Sequence, residues 1–369
     1  MQRTKRTLVL AAVASLLAAS GCKRAGVTVS RTAYILGPTN DILPVKGDTV
    51  QRISPDVLGA SALIATHMAD NRIKYCSGTL IAGAKDGDNE RILTNHHCFA
   101  VTDADDKATP DLLPEACTET RVYFGFLQGH ISDVVELGCQ ADSLHTSFDG
   151  DVAVFTLDQN PPDGHKPIQL WTGDDAPEGR TALIVHYPDV DANLVVPPDG
   201  GAQLPTAAAT LDNCKVVGNF PVNEWDLDRT LAFSLRHTCD LIHGSSGSGL
   251  IDAETGQLLG VNWGGIKISY DDGERTDNVA TKASFVAAFL AGQTDTLIKA
   301  AGQQKQQNAA DAQRQERATR KSSGVSFADG IKRKACGTIG VGEDGAAAFL
   351  LGLLGLVAPL ACLRKRRIG

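Results

Sequence analysis

Aromatic residues make up only 5% of this 369-residue chain, and helical periodicity is weak over most of its length, whereas glycine occurs 37 times. A helical bundle is therefore disfavoured, and an all-β domain with many turns is expected. A basic surplus is also missing: 35 Lys and Arg stand against 43 Asp and Glu, giving a net charge of -8 and a pI near 5.6. A phosphate-binding surface needs the opposite balance, so nucleic acid is set aside as a partner. No two of the nine cysteines are spaced as CxxC, which argues against a zinc site, and nothing in the sequence calls for a cofactor. With 43% hydrophobic residues, the chain can still bury a sizeable core.

The two ends read as targeting segments rather than as parts of the fold. In residues 1–22 the basic Arg3, Lys5 and Arg6 precede an apolar run, Leu8 to Ala19, too short to span a bilayer comfortably, which is the pattern of an export signal. Its end, AASGC, resembles the lipobox of bacterial lipoproteins, which would make Cys22 a lipidated first residue; ordinary cleavage near Ser20 is the alternative. At the other end, Ala346 to Leu363 carries no charge and is followed at once by Arg364, Lys365, Arg366 and Arg367. About 18 helical residues at roughly 1.5 Å each make about 27 Å, barely a hydrocarbon core.

With Cys336 and a Gly-rich stretch just upstream, residues 336–369 resemble the tripartite C-terminal sorting signals of exported bacterial proteins, including the myxobacterial type. A plain membrane anchor is the alternative. Residues 301–335 are rich in Gln, Ala and charge and read as a solvated helix or disordered tether. Residues 33–300 remain as one folded unit. It is expected in the cell envelope, at the cell surface or released outside, with membrane contact through an N-terminal lipid, the C-terminal apolar segment, or both.

Cysteine usage agrees with export. Cys22, Cys336 and Cys362 belong to the terminal segments, leaving Cys76, Cys98, Cys117, Cys139, Cys214 and Cys239 inside the folded unit. An even number in an oxidising compartment suggests three disulfides, and pairing of sequence neighbours is one of about 15 connectivities.

Three short segments carry candidate chemistry. Residues 76–100, CSGTLIAGAKDGDNERILTNHHCFA, hold two β-type runs, SGTLI and RILTN, followed by His97 directly before Cys98. A lone histidine here would more often be a satisfied core residue. Residues 147–157, SFDGDVAVFTL, place Asp149, Gly150 and Asp151 in a turn at the mouth of a buried strand. An acid there can accept a hydrogen bond from an imidazole and fix its tautomer, and Asp151 is nearer the strand than Asp149. Residues 242–250, IHGSSGSGL, set serines among glycines, where neighbouring backbone N–H groups can converge on one oxyanion. A Gly/Ser linker would not be followed at once by LIDAETGQLLGVNWGG, an apparent hairpin of buried strands.

These segments together resemble the trypsin-like serine peptidases. TNHHC at 94–98 is similar to their TAAHC, DVAV at 151–154 to DIAL, GSSGSG at 244–249 to GDSGGP, CSGTLI at 76–81 to CGGSLI, and NWGG at 262–265 to SWG. GSSGS is nearer still to the bacterial glutamyl- and lysyl-endopeptidase branch. The resemblance covers about residues 34–292. It implies two six-stranded antiparallel β-barrels with a C-terminal helix, a cleft between them, and a Cys76–Cys98 bridge.

It also implies His97 as base, Asp151 as its orienting acid and Ser246 as nucleophile. The N–H groups of Gly244 and Ser246 would form the oxyanion hole, and Asn262, Trp263 and Gly264 would bind substrate. Independently, no histidine follows Ser246, which excludes the chain order of an α/β-hydrolase.

The departures from the family pattern are informative as well. Ser245 stands where trypsin-like zymogens carry an Asp that pairs with a newly cut N-terminus, so that switch is not expected. His96 beside His97 leaves open which imidazole acts, although the family pattern selects the one next to the cysteine. Asp240, six residues before Ser246, sits at the offset of the acid that pairs with a substrate Lys or Arg; because Cys239 is off the usual spacing, a solvated loop acid is the alternative. Val261 stands where the glutamyl branch has a histidine. The resulting expectation is an exported serine endopeptidase acting on proteins or peptides, with Lys/Arg preference. An inactive peptidase-like module for surface binding is the alternative.

Overall fold

The computed structural model describes residues 28–322, except 69–71, 86, 106, 128–133, 174–175, 190–193, 196–202 and 271–272. The expected leader at 1–22 and the C-terminal segment at 336–369 lie outside the described residues. Among the described residues, no helix is long and apolar enough to cross a membrane.

Among the described residues, and apart from two two-stranded pairs, Ala100–Thr102 with Ala108–Leu112 and Leu194–Val195 with Leu204–Pro205, two large antiparallel sheets form the fold. One has seven strands in the order His145–Ser147, Val152–Thr156, Arg91–Thr94, Ile73–Ile81, Ser61–His67, Thr120–Phe124 and Val135–Gly138. The other has nine. Its main path runs Val216–Asn219, Ser234–His237, Gly273–Lys282, Leu258–Tyr270, Gly249–Asp252, Ala182–His186, Ala208–Thr210 and Ile42–Pro44, with Thr28–Arg31 also paired to Leu258–Tyr270. The expected all-β class holds; in place of the expected six-stranded antiparallel barrels, the described residues form sheets of seven and nine strands that are not closed. The difference lies partly in strand edges. Thr28–Arg31 and Ile42–Pro44 add to the larger sheet through main-chain hydrogen bonds, which period-2 patterning cannot reveal.

Alternation within the strands explains the core. In Ala182–His186 every residue is buried; Leu183 and Val185 face the principal core, while Ala182 and Ile184 face a second cluster with Leu235, Leu241, Leu250 and Leu259. A run with both faces covered reads in sequence as continuously apolar, as ALIV does. Three disulfides, Cys76–Cys98, Cys117–Cys139 and Cys214–Cys239, join sequence neighbours.

Helix Ala283–Leu290 turns Phe285 inward against Phe233, with ring centroids 4.5 Å apart. The next helix, Thr294–Ser322, starts before the expected end of the fold at residue 300, and Leu297, Ile298 and Ala301 pack on the principal core. Residues 307–322, the remainder of this helix, belong to a separate unit.

Gly150 connects this C-terminal packing to the acid that follows it. A Cβ at Gly150 would lie 1.9 Å from the Phe285 ring, and the Gly150 carbonyl accepts a 2.5 Å hydrogen bond from Thr281 Oγ1. Gly150→Ala is expected to destabilise the fold by about 1–3 kcal/mol, the usual scale of overpacking. Urea denaturation checks this, and adding Phe285→Leu should recover part of the loss.

Candidate active site

The site is assembled from the ends of strands in both sheets. On the seven-stranded side, Arg91–Thr94 ends in Asn95 and a short 3-10 turn, His96–Cys98, which the Cys76–Cys98 disulfide ties to strand Ile73–Ile81. The turn points the two adjacent histidines in different directions. His96 is fully buried, with Nε2 2.7 Å from the Thr109 carbonyl and its ring edge-on to Phe148, and burial lowers its pKa. His97 remains partly exposed, with Nδ1 2.8 Å from Asp151 Oδ2. Of the two rings, His97 is the one that meets the acid.

Asp151 holds His97 at two points. Its Oδ1 accepts the His97 backbone N–H at 2.9 Å while Oδ2 meets the ring. The residue has φ of 50°, a conformation that costs a non-glycine residue on the order of 1–3 kcal/mol and persists only when surroundings impose it. Asn95 Nδ2 supplies one restraint by donating to the Asp151 carbonyl at 2.7 Å. Burial would raise the carboxyl pKa, but the neighbouring His97, the hydrogen bonds it donates and the charge of Arg31 together hold it well below the usual carboxylate range. The acid is therefore ionised and fixes the imidazole with its second nitrogen, Nε2, free of this contact.

The serine turn is braced from both sheets. Gly244 and Gly247 have φ of 88° and 86°, and Gly244, Ser245, Gly247 and Ser248 are buried, whereas Ser246 is only half-buried. A Cβ on Gly247 would lie 2.0 Å from Thr94 Oγ1 and 2.1 Å from the Ser77 carbonyl, so glycine is needed for space as well as for backbone. Ser77 N–H donates to the Ser246 carbonyl at 2.7 Å and Ser77 Oγ to the Gly244 carbonyl at 2.9 Å. From the nine-stranded sheet, the Asn262 carbonyl accepts Gly247 N–H at 2.7 Å. Ser246 is thus anchored one residue from Cys76, whose disulfide partner follows His97.

Peptide planarity then aims the two expected oxyanion donors. In a trans peptide the N–H points opposite the preceding C=O. The His243 carbonyl, in the peptide carrying Gly244 N–H, is taken by Asp189 N–H at 2.9 Å. The Ser245 carbonyl, in the peptide carrying Ser246 N–H, is taken by Ser248 N–H at 3.1 Å and Ser248 Oγ at 2.7 Å. Both carbonyls being held, both N–H groups keep a fixed direction.

The expected substrate residues fare differently. Asn262 and Trp263 are buried, their side chains bonded to Ser248 and to Ser234 Oγ, and the Asn262 backbone is also taken, its N–H by the Ser248 carbonyl and its carbonyl by Gly247 N–H. Gly264 follows at a break in register, with φ of 142° and open space where a Cβ would stand. Asp240 does not serve as a pocket acid: it is 1% exposed, and its oxygens accept Leu36 N–H at 2.6 Å and Asp41 N–H at 2.7 Å. Nor is it a solvated loop acid. Burial raises its pKa, partly offset by those two bonds. Sequence reasoning could not see this because the partners lie about 200 positions away.

It also missed Ser77, Thr94, Asn95 and His186 as bracing groups; the first three lie inside the quoted motifs, whereas nothing local marks His186. Ring nitrogen of His97 and the sulfurs of Cys76 and Cys98 gather within 4.8 Å, but both sulfurs are bonded to each other and offer no thiolate to a metal.

An acid gripping an imidazole and a braced serine turn, each placed at strand ends of the two large β-sheets, make up an arrangement compatible with serine-hydrolase chemistry. The family model of the trypsin-like peptidase domain matches residues 76–261, and the chain belongs to that family. Among solved structures, a Glu endopeptidase in complex with MPD is 21% identical, with a TM-score of 0.44, over 70% of this chain and 99% of that one. A protease of M. tuberculosis in its active form is 19% identical, with a TM-score of 0.37, over 69% and 91%. No curated protein matches the chain.

Three histidines are buried, and two of them, His186 and His237, are shifted far enough that the fold is expected to lose stability in acid. Burial pushes both His186 and His237 down to about 3. The folded state keeps them neutral while the unfolded chain takes up protons below about 6.5. Stability is therefore full above that value and declines as pH falls toward 3, by up to about 1.4 kcal/mol per pH unit for each ring. Guanidinium midpoints measured from pH 7.5 to 4.5 should fall accordingly; a flat profile would count against buried neutral rings.

Proposed function

We propose that this trypsin-like peptidase is an exported serine endopeptidase using His97, Asp151 and Ser246, with the N–H groups of Gly244 and Ser246 receiving the oxyanion. The observation that carries this reading is the two-point grip of Asp151 on His97, because it leaves the imidazole oriented and ready to accept a proton. In the proposed reaction His97 takes the Ser246 hydroxyl proton as the oxygen attacks the peptide carbonyl, and the carbonyl electrons move onto oxygen facing the two N–H groups. His97 then gives its proton to the leaving amine, and water hydrolyses the acyl-enzyme by the same steps. Asp151 stays ionised and stabilises the imidazolium.

Protein or peptide substrates follow from the family. Preference for Lys or Arg loses its support, since the Asp240 carboxylate is committed to backbone donors. Export is supported by three disulfides, which persist in oxidising compartments, and by the sequence of residues 1–22. Lipidation at Cys22 and anchoring or sorting by residues 336–369 belong to the same proposal.

The purified chain should label with a fluorophosphonate, and Ser246→Ala should abolish the label. Asp151→Asn should lower kcat by roughly 10⁴-fold by imposing the wrong tautomer. If a folded, disulfide-intact chain neither labels nor cleaves peptides, the inactive binding module is the correct reading.

A further inference from the structure

The residue before the nucleophile, Ser245, points away from solvent and meets His186, the last residue of strand Ala182–His186. Ser245 is 1% exposed and His186 0%, with Ser245 Oγ 2.5 Å from His186 Nδ1. The direction of this hydrogen bond follows from what else the hydroxyl does. Among the described residues the Ser245 hydroxyl meets a donor, Ile242 N–H at 3.1 Å, and no acceptor other than His186 Nδ1, so its single proton goes to that nitrogen. That requires a neutral ring with its proton on Nε2, which agrees with the lowering of the His186 pKa to about 3 by burial. Nε2 finds no partner among the described residues. A buried N–H without an acceptor is unfavourable, so an apolar ring would serve packing better; what histidine adds here is the acceptor at Nδ1.

The segment following His186 holds the same turn at two more points. Tyr187 N–H donates to Ser77 Oγ, the hydroxyl that in turn holds the Gly244 carbonyl, and Asp189 N–H donates to the His243 carbonyl. Residues 186–189 thus fix residues 243–245 through a side chain, a relayed hydroxyl and a main-chain bond. Ser245 lies between the two oxyanion donors, and its carbonyl sets the direction of Ser246 N–H.

We propose that His186 and Ser245 form a buried latch that keeps the oxyanion turn in working shape without a newly cut N-terminus, and that both are positioning residues for hydrolysis. The inference rests on the reading of Ser246 as nucleophile with Gly244 and Ser246 N–H as oxyanion donors. Neither latch residue touches the reacting atoms. The latch acts through the turn, so its loss should weaken transition-state binding more than substrate binding.

The test compares Ser245→Ala, His186→Phe, their combination and His186→Asn, whose amide oxygen stands close to the position of Nδ1. Each of the first two is expected to lower kcat on a peptide amide by roughly ten- to hundredfold, the scale of one lost buried hydrogen bond, with KM changed less than about threefold. Affinity for a peptide boronate, which needs the oxyanion donors, should fall in parallel. The double variant should be no worse than the poorer single one, and His186→Asn should recover most of the activity.

Fluorophosphonate should still reach one label per chain in every variant, only more slowly. Failure of the wild-type chain to label would overturn the underlying nucleophile assignment, and the latch with it. Wild-type labelling combined with unchanged kcat and boronate affinity in folded Ser245→Ala would overturn the latch alone. Ser245→Ala removes a single oxygen, so it carries the test if His186→Phe does not fold.

Discussion

Ser77 is the point on which the arrangement depends. Its N–H and hydroxyl hold the carbonyls of Ser246 and Gly244, and its own carbonyl accepts from Thr94, so one residue of the seven-stranded sheet sets the position of the serine turn. The same stretch carries Cys76, bonded to Cys98 beside His97. The proposed nucleophile and base are therefore referred to one short piece of backbone. A constraint of this kind matters for catalysis because the gain from proximity is lost when reacting groups drift by as little as an ångström.

The electrostatics are built around that frame. Asp151 is fully buried yet ionised, which is unfavourable unless its hydrogen bonds are complete and a positive charge is near; two donors from His97 and the charge of Arg31 supply both. Arg31 comes from the N-terminal strand, where it also lies over Trp263 at 4.7 Å. An added edge strand thus contributes to the field at the acid as well as to the sheet. By contrast, His186 and His237 are buried neutral, their charge suppressed by desolvation. The fold distinguishes its histidines by environment: His97 beside a carboxylate, His96 against a carbonyl and an aromatic edge, His186 against a hydroxyl.

Much of the fold class and most of the candidate site were legible along the chain. TNHHC, DVAV and GSSGSG mark local turns whose residue types are required by local geometry, such as the positive φ at Gly244 and Gly247. Of the disulfides, only Cys76–Cys98 was implied beforehand, by the family resemblance; the cysteine count left the other pairings open, and the structure joins Cys117 to Cys139 and Cys214 to Cys239. The count of strands was not, because Thr28–Arg31 and Ile42–Pro44 are held by backbone bonds that carry no side-chain signature. Asp240 misled for the converse reason: its offset from the serine was right for a pocket acid, but the chain from Leu36 to Asp41 folds over it and captures both oxygens.

Sequence by itself determined the all-β class, the identities of His97, Asp151 and Ser246 as candidates, and the glycines that let the serine turn form. These depend on residue types within a few positions of one another. Tertiary structure alone decided which of two adjacent histidines meets the acid, that Asp240 is internal, and that His186 stands against Ser245. Each of those outcomes is a contact across tens to hundreds of positions, fixed by how two sheets pack.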